Sequence, residues 1–420
     1  MKVSSLAQNL RGSEIIKIAG EINELKRQGQ NIANLTIGDY DSNIYPIPDE
    51  LKKGIVDAYA ENQTNYPPAD GVLSLRESVS AFLKSRLGLS YKPNEILISG
   101  GSRPLIYSTY LAVVDEGDKV VFPAPSWNNN HYCDLLKAEG IMVQTRAENN
   151  FMPTADELRP HINGASLLAL CSPLNPTGTM FNKKDLEEIC DLVIAENKSR
   201  AAGEKPLYFL YDQIYSQLTF GDNRHFDPVT LRPELRDYVI FIDGASKCFA
   251  ATGVRVGWGF GPEAVINNMK AIVGHMGAWS PKAEQVAMAK YIMDEASVNS
   301  YLTKLKSNVQ ASLNALHNGF QQLKAEGFAV DSIAPMGAIY LTVKIDYAGK
   351  KAPDGAILSN STDINFYLIK EAKVAFVPFS AFGTGDDVSW FRASVGACTL
   401  QDIEDAIPRI KAALTKLSPR

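Results

Sequence analysis

A chain of 420 residues, 45% hydrophobic and 21% charged, has the composition of a soluble globular protein and room for about two or three domains. Its formal net charge of -5 leaves no electrostatic footprint for nucleic acid, and no run of like charges suggests a tail or a membrane patch. No stretch approaches the roughly 18 apolar residues of a membrane span.

The first twenty residues lack a long apolar core and a small-residue cleavage site, so they do not read as a signal peptide and a cytoplasmic protein is expected. Residues 14 to 29 carry Ile15, Ile16, Ile18, Ala19, Ile22 and Leu25 among charges, which predicts an amphipathic helix. The segment NLTIGDYDSNIYPIPDE that follows is turn-rich around Gly38 and two prolines. From about residue 72 helix and strand patterns alternate. LSLRESVSAFLKSRLG reads as helix, EILISGG as strand, RPLIYSTYLAVV as helix and KVVFPAPSW as strand. Strands MVQTR, ASLLALCSP, PLYFLYDQIY and YVIFIDGASK come next, with helical stretches such as KKDLEEICDLVIAENKSR between several of them. Short apolar strands separated by helices predict a mostly parallel sheet covered on both faces.

A long helical pattern begins after residue 280 and runs through SVNSYLTKLKSNVQASLNALHNGFQQLKAEG. Strands GAIYLTVKI, VAFVPFS and WFRASVG and a final helix from about residue 400 complete the chain. The expected organisation is a large α/β domain over residues 47–295 and a smaller α+β domain built from residues 1–46 and 296–420.

Ligands of open α/β sheets bind outside the carboxyl ends of the strands. Gly100-Gly101-Ser102, Trp127, Asn175, Asp212 and Lys247 all fall at or just beyond such ends. In DGASKCFAATGVRVGW, Lys247 follows a buried-strand pattern, where a lysine can lose its proton and attack a carbonyl. Arg255 offers a bidentate grip for a phosphate. A surface turn with incidental charges explains that stretch about as well. A strand running into Gly-Gly-Ser and then a helix makes an anion site, although such turns are common. Asp212 follows apolar residues, where an acid needs a partner such as a protonated ring nitrogen, or else caps a helix. Tyr215 lies within reach of the same ligand. Arg392, inside an apolar strand, wants an anion such as a substrate carboxylate. The five cysteines and five histidines follow no metal-binding spacing, and neutral thiols are expected.

A lysine amine, an acid for a ring nitrogen, phosphate grips, a flat aromatic and a carboxylate-binding arginine together suit a pyridoxal-phosphate enzyme acting on amino acids. The motifs LTIGDYD, NYPPADGVLSLRESV, ISGGS, PAPSW, SPLNPTG, YDQIY, SKCFAATGVRVGW and FRASVG span nearly the whole chain. In this order the chain resembles the fold-type I pyridoxal-phosphate aminotransferases of class I/II, the group that includes aspartate aminotransferases.

The resemblance implies a mostly parallel seven-stranded sheet in the large domain and pyridoxal 5'-phosphate as cofactor. Lys247 then carries the cofactor as a Schiff base and later shuttles a proton, and Asp212 pairs with the pyridinium. Tyr215 and Asn175 bond the ring oxygen, which lowers the imine pKa, and Trp127 stacks on the ring. Gly101, Ser102, Ser246 and Arg255 hold the phosphate. Arg392 binds the α-carboxylate with help from the Gly38 backbone, so that Gly38, Trp127, Asn175 and Arg392 form the substrate side. Tyr66 reaches the phosphate of a neighbouring subunit, which makes the active unit a homodimer. Cis prolines are implied at Ala124–Pro125 and Asn175–Pro176. The implied reaction is ping-pong transfer of an amino group between an L-amino acid and a 2-oxo acid, with aspartate or a relative as donor. A C–S or other β/γ-lyase uses the same constellation, and a cofactor-binding regulator is the non-enzymatic rival. Two departures stand out: Gly244 where some relatives have serine, and the run WNNNH, in which Asn130 or His131 is the candidate support for Asp212.

Overall fold

The computed structural model describes residues 3–9 and 14–419. Its strands in chain order are β1 (Ala33–Asn34), β2 (Ile96–Ser99), β3 (Lys119–Ala124), β4 (Glu139–Gln144), β5 (Ala165–Cys171), β6 (Tyr208–Asp212) and β7 (Val239–Gly244). There follow β8 (Gly257–Phe260), β9 (Val330–Ser332), β10 (Tyr340–Ile345), β11 (Val374–Ala375), β12 (Val377–Pro378) and β13 (Trp390–Ser394). Seven of them form one sheet in the order β2-β8-β7-β6-β5-β3-β4. Only β8 runs against the others.

The apolar runs of the central strands are buried on both faces, as the period of two requires. Val239 and Phe241 of β7 enter one apolar cluster with Phe209, Leu168 and Leu170. Ile240 and Ile242 enter the cluster on the other side with Leu210, Leu167 and Ala169. Helices Leu73–Leu87 and Lys183–Ser199 cover the first face through Val79, Phe82, Ile189 and Val193. Helices Ser102–Val113 and Glu263–Met276 cover the second through Leu105, Tyr110, Met269 and Val273. Side-chain caps fix several starts: Asn182 accepts from the Asp185 N–H, and Thr154 and Thr399 each close a capping box.

A second, four-stranded antiparallel sheet has the order β12-β13-β10-β9. It packs with helices Glu295–Ala325 and Leu400–Thr415 around Val309, Leu316, Phe320, Ile403 and Ile410. The long helix contributes Val298 and Leu302 to the first cluster and Leu305 onward to this one, so it joins the two bodies. Near the N-terminus, helix Glu14–Arg27 buries Ile18 and Ile22 against Ile369 and Ala375, and β1 pairs with β11. The side chains of Ile15 and Ile16, counted in the expected apolar stripe, lie outside the described residues.

Candidate active site

The carboxyl ends of β2, β3, β5, β6 and β7 share one edge, and the antiparallel β8 begins there, which brings Arg255 to the same edge. The residues beyond those ends line one cavity of about 870 Å³, within the roughly 300–1,000 Å³ usual for small-molecule sites. Ser102, Trp127, Asn175, Asp212, Tyr215, Ser246, Lys247, Arg255, Gly38 and Arg392 all border it. Sequence reasoning therefore brought these ten residues to one place.

Lys247 sits in the short helix Ala245–Cys248 directly after β7, not in a surface turn. Its Nζ donates to the Gly38 carbonyl at 2.6 Å and lies 5.9 Å from the Tyr215 ring centre. Burial brings the ammonium down from 10.5 to about 8; the Asp39 charge opposes this, and the Arg392 and Arg255 charges add to it. A lysine in that range is a usable nucleophile and proton carrier near neutral pH.

Asp212 ends β6, and its Oδ1 accepts from the Ile214 N–H at 3.0 Å. The acid thus caps a turn rather than a helix. Burial lifts it to about 6, and no cation pairs with it among the described residues. Neither Asn130 nor His131 bonds it, although His131 lines the cavity. Behind it lies a buried chain that sequence reasoning missed. Gln213 Nε2 donates to Asp243 Oδ2 at 3.2 Å, and Gln213 Oε1 meets His225 Nε2 at 3.2 Å. Burial lifts Asp243 to about 7 and lowers His225 to about 4, so the imidazole is neutral.

At the phosphate end, Gly101 precedes the helix Ser102–Val113 with φ +98°, and no side chain caps its free N–H groups. Arg255 donates to the Gly100 and Thr252 carbonyls at 2.6 Å each. A Cβ on Gly101 would stand 2.3 Å from the Arg255 guanidinium, and the backbone at φ +98° itself favours glycine, so glycine lets the arginine keep this position. Gly244 has a related reason: a Cβ there would stand 2.9 Å from the Gly257 Cα, which leaves no space for serine.

At the opposite end, Arg392 is 2% exposed on β13. Its Nη1 donates to Asn175 Oδ1 at 3.0 Å and its Nη2 to the Thr36 carbonyl at 2.6 Å, while Nε is buried without a partner. No carboxylate pairs with Lys247, Arg255 or Arg392 among the described residues. Tyr340, on β10, is a second residue the sequence did not reveal: its hydroxyl lies 2.6 Å from that of Tyr215 and its ring faces Arg392. The strand was legible in GAIYLTVKI, but nothing marked its tyrosine among the seventeen in the chain. Arg103 also lines the cavity, its guanidinium 4.5 Å from the Trp127 ring centre. Cys171, on the wall, is kept protonated by burial. Tyr66 does not join the group; it is 82% exposed and packs edge-on against Trp279. Cis bonds occur at Ala124–Pro125 and Asn175–Pro176 as implied, and also at Ser172–Pro173. No group of metal-binding side chains occurs among the described residues, and no helix there is long and apolar enough to cross a membrane.

Comparison with known proteins follows the same line. The model of the family described as aminotransferase class I and II matches residues 30–410. A probable aspartate/prephenate aminotransferase of Rickettsia prowazekii is 29% identical over 428 residues, covering 99% of each chain. An aspartate aminotransferase of Rhizobium meliloti is 29% identical, over 97% of this chain and 94% of its own. The solved structure of the aspartate aminotransferase from Rhizobium meliloti superposes with a TM-score of 0.90 at 25% identity over the whole of both chains. The aromatic aminotransferase from Pyrococcus horikoshii gives 0.82 at 26% identity, over 94% of this chain and 98% of its own. With the match running through every strand that borders the cavity, the chain belongs to the class I and II aminotransferases, a family of pyridoxal-phosphate enzymes, and its reaction is transamination.

Proposed function

We propose that the cavity holds pyridoxal 5'-phosphate on Lys247 and moves an amino group from aspartate or a related L-amino acid to a 2-oxo acid. The observation that carries this is the distribution of unmatched charge around one cavity. A lysine depressed to about 8 and an acid raised to about 6 face a space with uncapped helix N–H groups at one end and an orphaned guanidinium nitrogen at the other. A phosphorylated, protonatable ring plus an amino-acid carboxylate satisfies each of them, so the residues fit that cofactor.

When bound, the cofactor supplies an aldehyde for the amino group and a ring that draws electrons from the substrate Cα. The chain supplies the rest. Lys247 Nζ would take the proton from the substrate Cα and deliver it to the cofactor's former aldehyde carbon. Asp212, as a carboxylate, keeps the ring nitrogen protonated, and that cation removes the cost of its own burial. Tyr215 and Asn175 hold the ring oxygen, and Trp127 covers one face. Gly101, Ser102, Ser246 and Arg255 hold the phosphate. Arg392, with Gly38 and Asn175 beside it, grips the α-carboxylate and sets Cα over Lys247.

Aspartate as donor rests on the names of the relatives and on Arg103, a third guanidinium in the cavity, beside Arg255 and Arg392, with no ion-pair partner among the described residues. Arg103→Ala is expected to raise KM for aspartate by about tenfold, the loss of one charged hydrogen bond, and to leave alanine unaffected. Equal effects on both donors would move the distal carboxylate elsewhere. We further propose a homodimer in which Tyr66, exposed and away from its own cavity, reaches a neighbour's phosphate. A cytoplasmic location and two domains, 47–295 and 1–46 with 296–420, complete the reading; the separate apolar clusters around the two larger sheets support the division.

Mixing the holoenzyme with single amino acids, without an oxo acid, tests the reaction. Conversion of the bound cofactor's visible absorbance to that of its amine form, with release of one 2-oxo acid per site, is expected. Continuous release of ammonia and pyruvate would instead mean lyase chemistry.

A further inference from the structure

Tyr340 opens β10, and the register of that strand with β13 sets Arg392 opposite Thr342. Tyr340 is thus the diagonal neighbour of Arg392 on the same face of the small sheet. The guanidinium carbon lies 4.8 Å from the Tyr340 ring centre, at cation–π distance. The same side chain reaches out of its sheet to the end of β6. Its hydroxyl is 2.6 Å from the Tyr215 hydroxyl, with ring centres 5.6 Å apart at 71°. Both phenols are buried, at 1% and 2% exposure. On the other side, a Cβ at Gly38 would stand 2.9 Å from the Tyr340 hydroxyl, so only a residue without a side chain admits that hydroxyl.

Each phenol has one proton to give. If Tyr215 gives its proton to the cofactor's ring oxygen, as in the proposed function on which this inference rests, the bond between the two hydroxyls has only one possible donor, Tyr340. A phenol that accepts a hydrogen bond is a stronger donor itself, because chains of such bonds polarise one another. We infer that Tyr340 is a positioning residue that holds Tyr215 on the ring oxygen and strengthens its bond, while its ring steadies the carboxylate-binding Arg392. One side chain from the small sheet thereby ties the two ends of the site together.

The test is a pH titration of the visible absorbance of the lysine-linked cofactor in the holoenzyme. A bond that stabilises the ring oxygen's anion keeps the imine's pKa low. Tyr340→Phe, which removes one oxygen, is expected to raise the midpoint by about half a pH unit, the size of one neutral hydrogen bond. KM for the amino acid should stay within about twofold, because the ring beside Arg392 remains. Tyr215→Phe should raise the midpoint further, and adding Tyr340→Phe to it should change nothing more. Tyr340→Leu, which also removes the ring, should match the midpoint shift of the Phe variant and raise KM several-fold. A midpoint unchanged in either single variant at position 340, or an equal shift with Tyr215 already replaced, overturns the inference. Loss of carboxylate binding alone would assign Tyr340 to Arg392 only and overturn it too. A wild-type enzyme without a titrating chromophore at Lys247 would remove the functional reading itself, a different failure.

Discussion

Three side chains carry most of the chemistry, and each answers to one substitution. Lys247→Ala removes the amine that attacks and the base that moves the proton, so turnover is expected to fall by about 10,000-fold or more in a steady-state assay. Arg392→Ala deletes a buried grip for the carboxylate; KM should rise about 10- to 100-fold with a smaller change in kcat. Unchanged kinetics there would place the carboxylate elsewhere. Asp212→Asn leaves the ring nitrogen without an anion and should lower kcat by about 100-fold or more, a loss typical of breaking a buried charge pair. Lys247 and Asp212 were legible because chemistry forces them to strand ends, where a charge after an apolar run is conspicuous, and Arg392 because a charge inside an apolar strand is equally so. Tyr340, Asp243 and His225 were not. Each acts through a neighbour distant in the chain, and a buried tyrosine in a strand reads as ordinary core.

The least legible element is β8. GWGF alternates glycine with aromatics, and glycine argues against a strand. The sheet explains it. A Cβ on Gly257 would lie 2.4 Å from the Gly101 carbonyl carbon, and one on Gly259 would meet Leu105 of the covering helix at 3.3 Å. The strand gives up propensity so that the phosphate loop can press onto the sheet. Gly257→Ala is therefore expected to cost about 1–3 kcal/mol by overpacking in a denaturation curve, and to weaken cofactor binding measurably in a titration. A variant as stable as wild type, with full cofactor affinity, would contradict this. β1 and β9 were missed for a simpler reason, since two or three residues carry no periodicity, while the single strand expected at VAFVPFS is split into β11 and β12. The other six strands of the large sheet and the helices Glu14–Arg27, Leu73–Leu87, Ser102–Val113, Lys183–Ser199, Glu295–Ala325 and Leu400–Thr415 followed from apolar spacing within a few residues at their ends, whereas Asp49–Ala60, Glu263–Met276 and Lys282–Tyr291 were not singled out.

At the scale of the whole molecule, pH links the site to stability. Asp212 and Asp243 move from an ordinary value near 3.8 to about 6 and about 7 on folding, both through burial. The folded apoprotein then binds protons more tightly than the unfolded chain, so this contribution is fully present below about 3.8 and is lost as pH rises from there to 6 and 7. Asp243→Asn is expected to melt several degrees higher than wild type at pH 8, with the advantage shrinking steadily as pH falls below 7 toward about 4, checked by calorimetry of the apoprotein. Lys247 has the opposite sense: its depressed value adds stability as pH rises from about 8 toward 10.5. Cofactor binding should flatten both slopes, since it satisfies the acid and consumes the amine. All of these effects converge on one covalent link. Reduction of the reconstituted enzyme with borohydride, followed by peptide mapping, reads it directly. The account predicts one reduced pyridoxyl group per chain, on Lys247; a label on another lysine, or none, would contradict it.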